Sequence, residues 1–178
     1  LSTVYIGAMR NKPEEVAKHL TSPEPLLRET AAWIISRHAD WGEALAGYLR
    51  ERLAAGELTD AEQKTLGQQL AQFAKAASVQ DLLATTARDN KLPFSIRDLA
   101  VRSMADSGLK ELPRRWAPVL IAMLGESDVV LHRNALSVVR RIPPNKEDAA
   151  AFRQPLMKIA TGEHRVNLLG SERNPFLG

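Results

Sequence analysis

The stretch Trp116-Ala117-Pro118-Val119-Leu120-Ile121-Ala122-Met123-Leu124, then Gly125-Glu126-Ser127-Asp128, then Val129-Val130-Leu131-His132-Arg133-Asn134-Ala135-Leu136-Ser137-Val138-Val139, decides the fold. Gly125 directly after the last apolar residue is a helix C-terminal signal, and Ser127-Asp128 offers side-chain oxygens to cap a following helix. Beyond the turn, Leu131, Ala135, Val138 and Val139 fall at i, i+4, i+7 and i+8, which is one face of a helix. The stretch reads as two helices joined by a short polar turn. Leu27, Ala31, Ile34 and Ile35 repeat the same arithmetic, and Ile96, Ala100 and Met104 follow it more loosely.

These segments share a kernel: an aliphatic residue, a cationic or His residue, two variable positions, then Ala. It appears as Leu27-Arg28 with Ala31, Ile96-Arg97 with Ala100, and Leu131-His132 with Ala135. A degenerate copy, Lys64-Thr65-Leu66-Gly67, puts Gly67 in the Ala place, so successive units are spaced by 36, 33 and 35 residues. A fixed period of this length marks stacked supersecondary units. The small residue has a physical reason, because two helices joined by a tight turn approach most closely where side chains are short.

Further helices are expected over 41–53, 60–75, 79–88 and 147–160, with Asp60 as an N-cap and Gln63 reaching back to it. Breakers recur between them: Pro23, Pro25, Gly56, Pro93, Gly108, Pro113, Pro143 and Pro144. No segment alternates as a strand would over a useful length. The expected fold is therefore all-α, an α–α superhelix of about four to five helical pairs. It should form one continuous domain over 1–178, with the repeat core at 13–160 and a loosely ordered tail at 161–178. A chain opening on Leu1 rather than Met reads as part of something longer.

The pattern resembles the HEAT repeat, in which an apolar first helix is followed by an acidic turn, then an aliphatic-Arg pair and Ala. Ser22 and Glu24 stand at the turn positions that are usually acidic, ahead of Leu27-Arg28 and Ala31. Glu126 and Asp128 do so ahead of Leu131-His132 and Ala135. The unit with Ile96-Arg97 and Ala100 lacks the acids and has Lys91 and Pro93 instead. The period is shorter than the usual HEAT unit of about 40–47 residues. Arg28-Glu-Thr-Ala-Ala-Trp-Ile-Ile-Ser-Arg-His38 is also similar to the helical-repeat part of large exported bacterial proteins that carry a dehydrogenase-like propeller and a c-type haem module. That second likeness implies an exported or periplasmic setting, with a cytoplasmic one as the alternative. No Cys is present to attach haem, so no cofactor is expected.

In a HEAT-like stack the second helices line the concave surface, as the resemblance implies. An Arg early in a second helix can reach an acidic turn through charge-assisted hydrogen bonds, so Arg28, Arg97 and His132 read as a structural ladder. Away from the aliphatic stripes stand Glu29, Trp33 and Arg37, then Arg102 in the place of Trp33, then Arg133, Arg140 and Arg141. Aromatic and Arg side chains together are the composition of binding hot spots. Trp33, Arg37, Arg102, Arg133 and Arg140 are the candidate partner-binding residues. The expected function is a non-catalytic interaction or spacer module that binds a protein partner, or neighbouring domains of its own parent chain, on that ridge. The alternative is nucleic-acid backbone binding by the same Arg and Trp surface, which Glu29, Asp98 and Asp106 oppose.

Composition removes other classes. Lys and Arg number 24 against 21 Asp and Glu, a net charge of only +3, and aromatics are 5%, sparse for a base-stacking surface. The absence of Cys excludes disulfides, thiolate metal sites and thiol catalysis in this chain. The longest apolar run, Trp116–Leu124, is nine residues, far below the ~20 that span a bilayer. No basic segment followed by an apolar run opens the chain, so no signal peptide is expected. His19, His38, His132 and His164 lie in different units with no i, i+4 pair, so no metal site is expected. Gly-rich phosphate loops and a Gly-x-Ser-x-Gly elbow are missing, and Ser36 and Ser171 have no partner visible in sequence. The chain therefore reads as lacking catalytic chemistry.

Overall fold

The computed structural model describes residues 12–56, 58–125 and 128–161, and among these every regular element is helical. Nine α-helices are present among the described residues. They are α1 (Pro13–Lys18), α2 (Pro25–Ser36), α3 (Gly42–Ala54), α4 (Asp60–Gln72), α5 (Ala77–Arg88), α6 (Phe94–Asp106), α7 (Ala117–Leu124), α8 (Val129–Arg141) and α9 (Ala149–Ala160). Short 3₁₀ turns, His19–Thr21 and Ala39–Trp41, link α1 to α2 and α2 to α3. The tail assigned to 161–178 lies outside the described residues, apart from Thr161, as do His164, Ser171 and the turn residues Glu126 and Ser127.

Local chemistry sets the boundaries. Asp128 caps α8, its Oδ1 accepting from the N–H groups of Val130 at 2.9 Å and Leu131 at 3.0 Å. Leu131, Ala135, Val138 and Val139 are the buried residues of that helix, the same four that the helical spacing selects. Proline at the first helical position opens α1 and α2, where its missing N–H costs no hydrogen bond. Gly56 and Gly108 follow α3 and α6 with φ of 72° and 65°, the left-handed conformation that ends a helix cheaply only with glycine.

Both ends of α4 depart from the sequence reading, and α5 and α9 start at Ala77 and Ala149 where 79 and 147 were expected. The cap of α4 is Thr59 with Glu62, not Asp60 with Gln63: the Glu62 N–H donates to Thr59 Oγ1 at 3.3 Å, and Glu62 Oε2 accepts from the Thr59 N–H at 2.9 Å. A carboxylate is a stronger acceptor for that N–H than an amide oxygen. Asp60 becomes the first helical residue, its charge near the positive end of the helix dipole. The Gln63 amide donates instead to the Leu58 carbonyl at 3.1 Å.

The second departure is the end of α4, at Gln72 rather than 75. The chain turns there to bury Phe73 and Ala74, which are 1% and 0% exposed, and the Ala76 N–H donates to the Phe73 carbonyl at 2.9 Å. The first residue of α3 abuts this turn. A Cβ on Gly42 would lie 2.6 Å from Ala76 Cβ and 3.2 Å from the Phe73 carbonyl oxygen, so the approach needs glycine. At the far end of the described chain, Asn145 precedes α9 and caps its approach. Its Oδ1 accepts from the Asp148 N–H at 2.7 Å, and α9 starts at Ala149. Pro155 lies inside α9 and removes one intrahelical donor.

The chain forms two compact units, Leu1–Leu109 and Lys110–Gly178. In the first, α1 packs on α3 and α3 on α5, while α4 packs on α6, and α1 with α2 and α5 with α6 form helical pairs. Its core gathers Ile35, Leu45, Leu49, Leu70, Phe73, Leu83, Ile96 and Met104, all essentially removed from water. In the second unit α7 pairs with α8 and α9 packs on α7 around Trp116, Leu120, Leu131, Val138 and Phe152. The Leu112 N–H donates to the Pro143 carbonyl at 3.0 Å and ties the loops of this unit together.

The small residues of the repeat are buried: Ala31 at 3%, Ala100 at 0% and Ala135 at 0% exposure. Gly67 marks a close approach, since a Cβ there would stand 3.0 Å from Leu99 Cδ1 and 3.6 Å from Ser103 Oγ. Both neighbours belong to α6. Shortness at Gly67 therefore serves contact between α4 and α6, whereas the sequence reading gave it to two helices joined by a tight turn.

Candidate functional site

Two of the three ladder residues, Arg28 and Arg97, act on the backbone. Arg28 Nη1 donates to the carbonyls of Ser22 at 2.7 Å and Pro23 at 3.0 Å, in the turn that precedes α2. Arg97 Nε donates to the carbonyl of Ala87 at 3.1 Å, in the last turn of α5. The last carbonyls of a helix have no partner within it and carry the negative end of its dipole, which suits a guanidinium. Arg28 thus holds carbonyls of the turn, where an acidic side chain such as Glu24 was expected. His132 stands half-buried at the equivalent place in α8.

A further tie was invisible in the sequence. Gln72, at the end of α4, donates its side-chain amide to the carbonyls of Ile35 and Ser36, each at 3.1 Å, and so closes the C-terminal end of α2. No local pattern marks a glutamine that acts on a helix more than thirty residues away.

Two of the candidate residues, Trp33 and Arg37, lie together at the C-terminal end of α2. Trp33 is 52% exposed, and the Arg37 guanidinium carbon lies 4.8 Å from the centroid of its ring, a cation–π contact. Leu26 is 62% exposed two turns earlier, so Leu26, Thr30, Trp33 and Arg37 make one stripe along the helix, with Glu29 exposed beside it. Arg102 sits on α6 in a salt bridge with Asp98 at 2.9 Å, one turn back. Its side chain is over half exposed and borders a groove of about 780 Å³ between α4 and α6, with Lys64, Gln68 and Asp106. Arg133 and Arg140 are exposed on α8 and belong to the second unit.

Between α2 and α4 the first unit holds a second concavity, a cleft of about 560 Å³ with Tyr48 and Arg52 of α3 among its lining residues. Arg52 pairs with Glu62 at 2.9 Å. The Thr59 N–H and hydroxyl, and after them the Arg52 guanidinium, hold the Glu62 carboxyl below its ordinary range. Burial pushes the Tyr48 hydroxyl above its ordinary value. Gln69 lies at the floor of this cleft and was missed by sequence reasoning. One signal could have found it: Trp33, Gln69 and Arg102 each stand two residues beyond the small residue of their repeat.

Among the described residues no three His, Asp or Glu side chains gather as a metal site requires, and no helix is long and apolar enough to cross a membrane. What these surfaces offer is half-exposed aromatic and cationic contact and an amide-floored cleft on an all-helical frame. The chain matches no protein-family model, and no curated protein matches its sequence.

Proposed function

We propose that this chain is a non-catalytic interaction or spacer module of the HEAT-like α-solenoid type, which binds a protein partner along the ridge of its second helices. In the first unit, the packing of α1 on α3, α3 on α5 and α4 on α6 supports this reading. These are the contacts expected when first helices stack on first helices and second on second. The observation that carries the functional half is Trp33, half-exposed on a second helix with Arg37 already placed over its ring. A large exposed aromatic held by a cation gives contact area at little cost in side-chain freedom, and Trp and Arg dominate the hot spots of protein interfaces.

Binding buries the Trp33 ring and the Leu26 side chain against the partner, while Arg37 and Arg102 meet an acidic or mixed surface. The carboxylates of Glu29 and Asp98 beside these cations favour a mixed protein surface over a uniformly charged polyanion. The test replaces Trp33 and Arg102 with Ala and measures capture of the partner from extract, with crosslinking to identify it. Loss of a hot-spot residue weakens binding by about thirtyfold or more. Unchanged capture by a variant that keeps its thermal midpoint overturns the proposal. Capture that consists of nucleic acid and falls steeply as salt rises overturns it in favour of phosphate binding.

A further inference from the structure

We infer that the cleft between α2 and α4 in the first unit seats an extended peptide segment, held at its floor by the side-chain amide of Gln69. This rests on the reading that the partner is a protein, and adds where the partner is gripped and in what conformation.

Gln69 is only 9% exposed, yet it lines the cleft, and its side-chain amide has no hydrogen-bond partner among the described residues. Its amide atoms stay open to the cleft, so a ligand can take over the hydrogen bonds that water otherwise fills. The Tyr48 hydroxyl, half-buried in the same lining, likewise has no partner among the described residues. Three neighbouring polar groups are committed: Arg52 to Glu62, Arg28 to the Ser22 and Pro23 carbonyls, and Thr65 Oγ1 to the Ala61 carbonyl at 2.9 Å. Donors and acceptors are thus available at Gln69 and Tyr48, in the walls of one cavity.

Charge narrows the occupant. Arg28 and Arg52 are balanced by Glu29 and Glu62 around the lining, so the cleft favours neither an anion nor a cation. A primary amide presents an acceptor and two donors, which matches the C=O and N–H of a peptide unit. Shape narrows it further. The lining runs along α4 from Ala61 to Gln69, about 12 Å of helix, the length of about four extended residues. Leu20, Ala32 and Leu66 supply apolar wall for alternate side chains of such a segment.

The experiment selects binders from a library of random dodecapeptides on the whole chain, then titrates the selected peptides while following the side-chain NH₂ signals of Gln69 by NMR. The expected result is a shift of those signals on binding, with Gln69→Leu weakening affinity about tenfold and Tyr48→Phe weakening it severalfold at an unchanged thermal midpoint. The NMR arm uses the unaltered protein, so it decides the matter even if a variant fails to fold. Absence of any selected peptide, binding that leaves Gln69 unshifted, or folded variants that bind as tightly as the parent would each overturn the inference. Should the peptide arm fail while Trp33→Ala still abolishes partner capture, the ridge reading survives and only the cleft is wrong. If neither responds, both fall.

Discussion

Two glycines on one helix should respond to alanine with opposite signs. Gly47 lies in the interior of α3, and a Cβ built on it meets nothing within 4 Å. Alanine there removes freedom from the unfolded chain and nothing from the folded one, for a gain of about 0.5–1 kcal/mol. Gly42, the first residue of the same helix, has a buried backbone. An added Cβ would sit 2.6 Å from Ala76 Cβ and 3.2 Å from the Phe73 carbonyl oxygen. Neither neighbour can rotate away, because both are fixed to the main chain, so α3 must shift from the Phe73–Ala76 turn. Overpacking of this kind costs about 1–3 kcal/mol. In a chain of 178 residues, 1 kcal/mol moves the midpoint by about 2–4 °C. Gly47→Ala should therefore raise the thermal midpoint by about 1–4 °C and Gly42→Ala lower it by several degrees. Far-UV circular dichroism against temperature reads both, with urea titration to identify the transition of the first unit. A Gly42→Ala variant as stable as the parent, or a shift of the same sign at both positions, would refute the packing argument.

Two predictions concern the closures of helix ends. Arg97→Ala should destabilise the first unit by about 1–3 kcal/mol in urea titration, because the Ala87 carbonyl and the guanidinium's other contacts are lost together. Arg97→Lys should recover little of that loss, since an ammonium lacks the planar fork. The Glu62 carboxyl should titrate below the ordinary carboxylate range in a carbon-detected NMR experiment, and Thr59→Ala should move its midpoint back up. Because its folded pKa is depressed, its contribution to stability is in place above the unfolded value and disappears as pH falls through the folded one. The stability gap between the parent and Glu62→Gln should accordingly narrow on acidification; a gap that widens contradicts the assignment.

What the sequence disclosed was what is local. The stripe of α8 and its Asp128 cap could be read directly, because both the apolar period and the capping oxygen lie within one short segment. The cap of α4 was displaced by one residue, since Thr59 with Glu62 and Asp60 with Gln63 offer the same spacing and only the carboxylate's strength separates them. The end of α4 was placed too late because Phe73 and Ala74 are apolar in either conformation, and their burial in a turn depends on Gly42 thirty residues away. Trp33 could be placed on an outward face by periodicity alone, and Arg37 one turn later fell naturally above it. Gln69 and Gln72 escaped for a different reason. An amide side chain announces no role, and its meaning comes only from the helix or cleft that folding brings to it.

The arginine closures have a consequence for how such a chain can change. Arg28 and Arg97 hold carbonyl oxygens, which every amino acid supplies. A lock that grips the main chain takes little account of which side chains the gripped residues carry. The residue at Ser22 can therefore drift while the closure persists, whereas Ala87 is fixed by its own burial and the arginines by their grip. A helical chain locked this way can diverge in its turns, and acquire new surface there, without retuning the joints that hold its helices together.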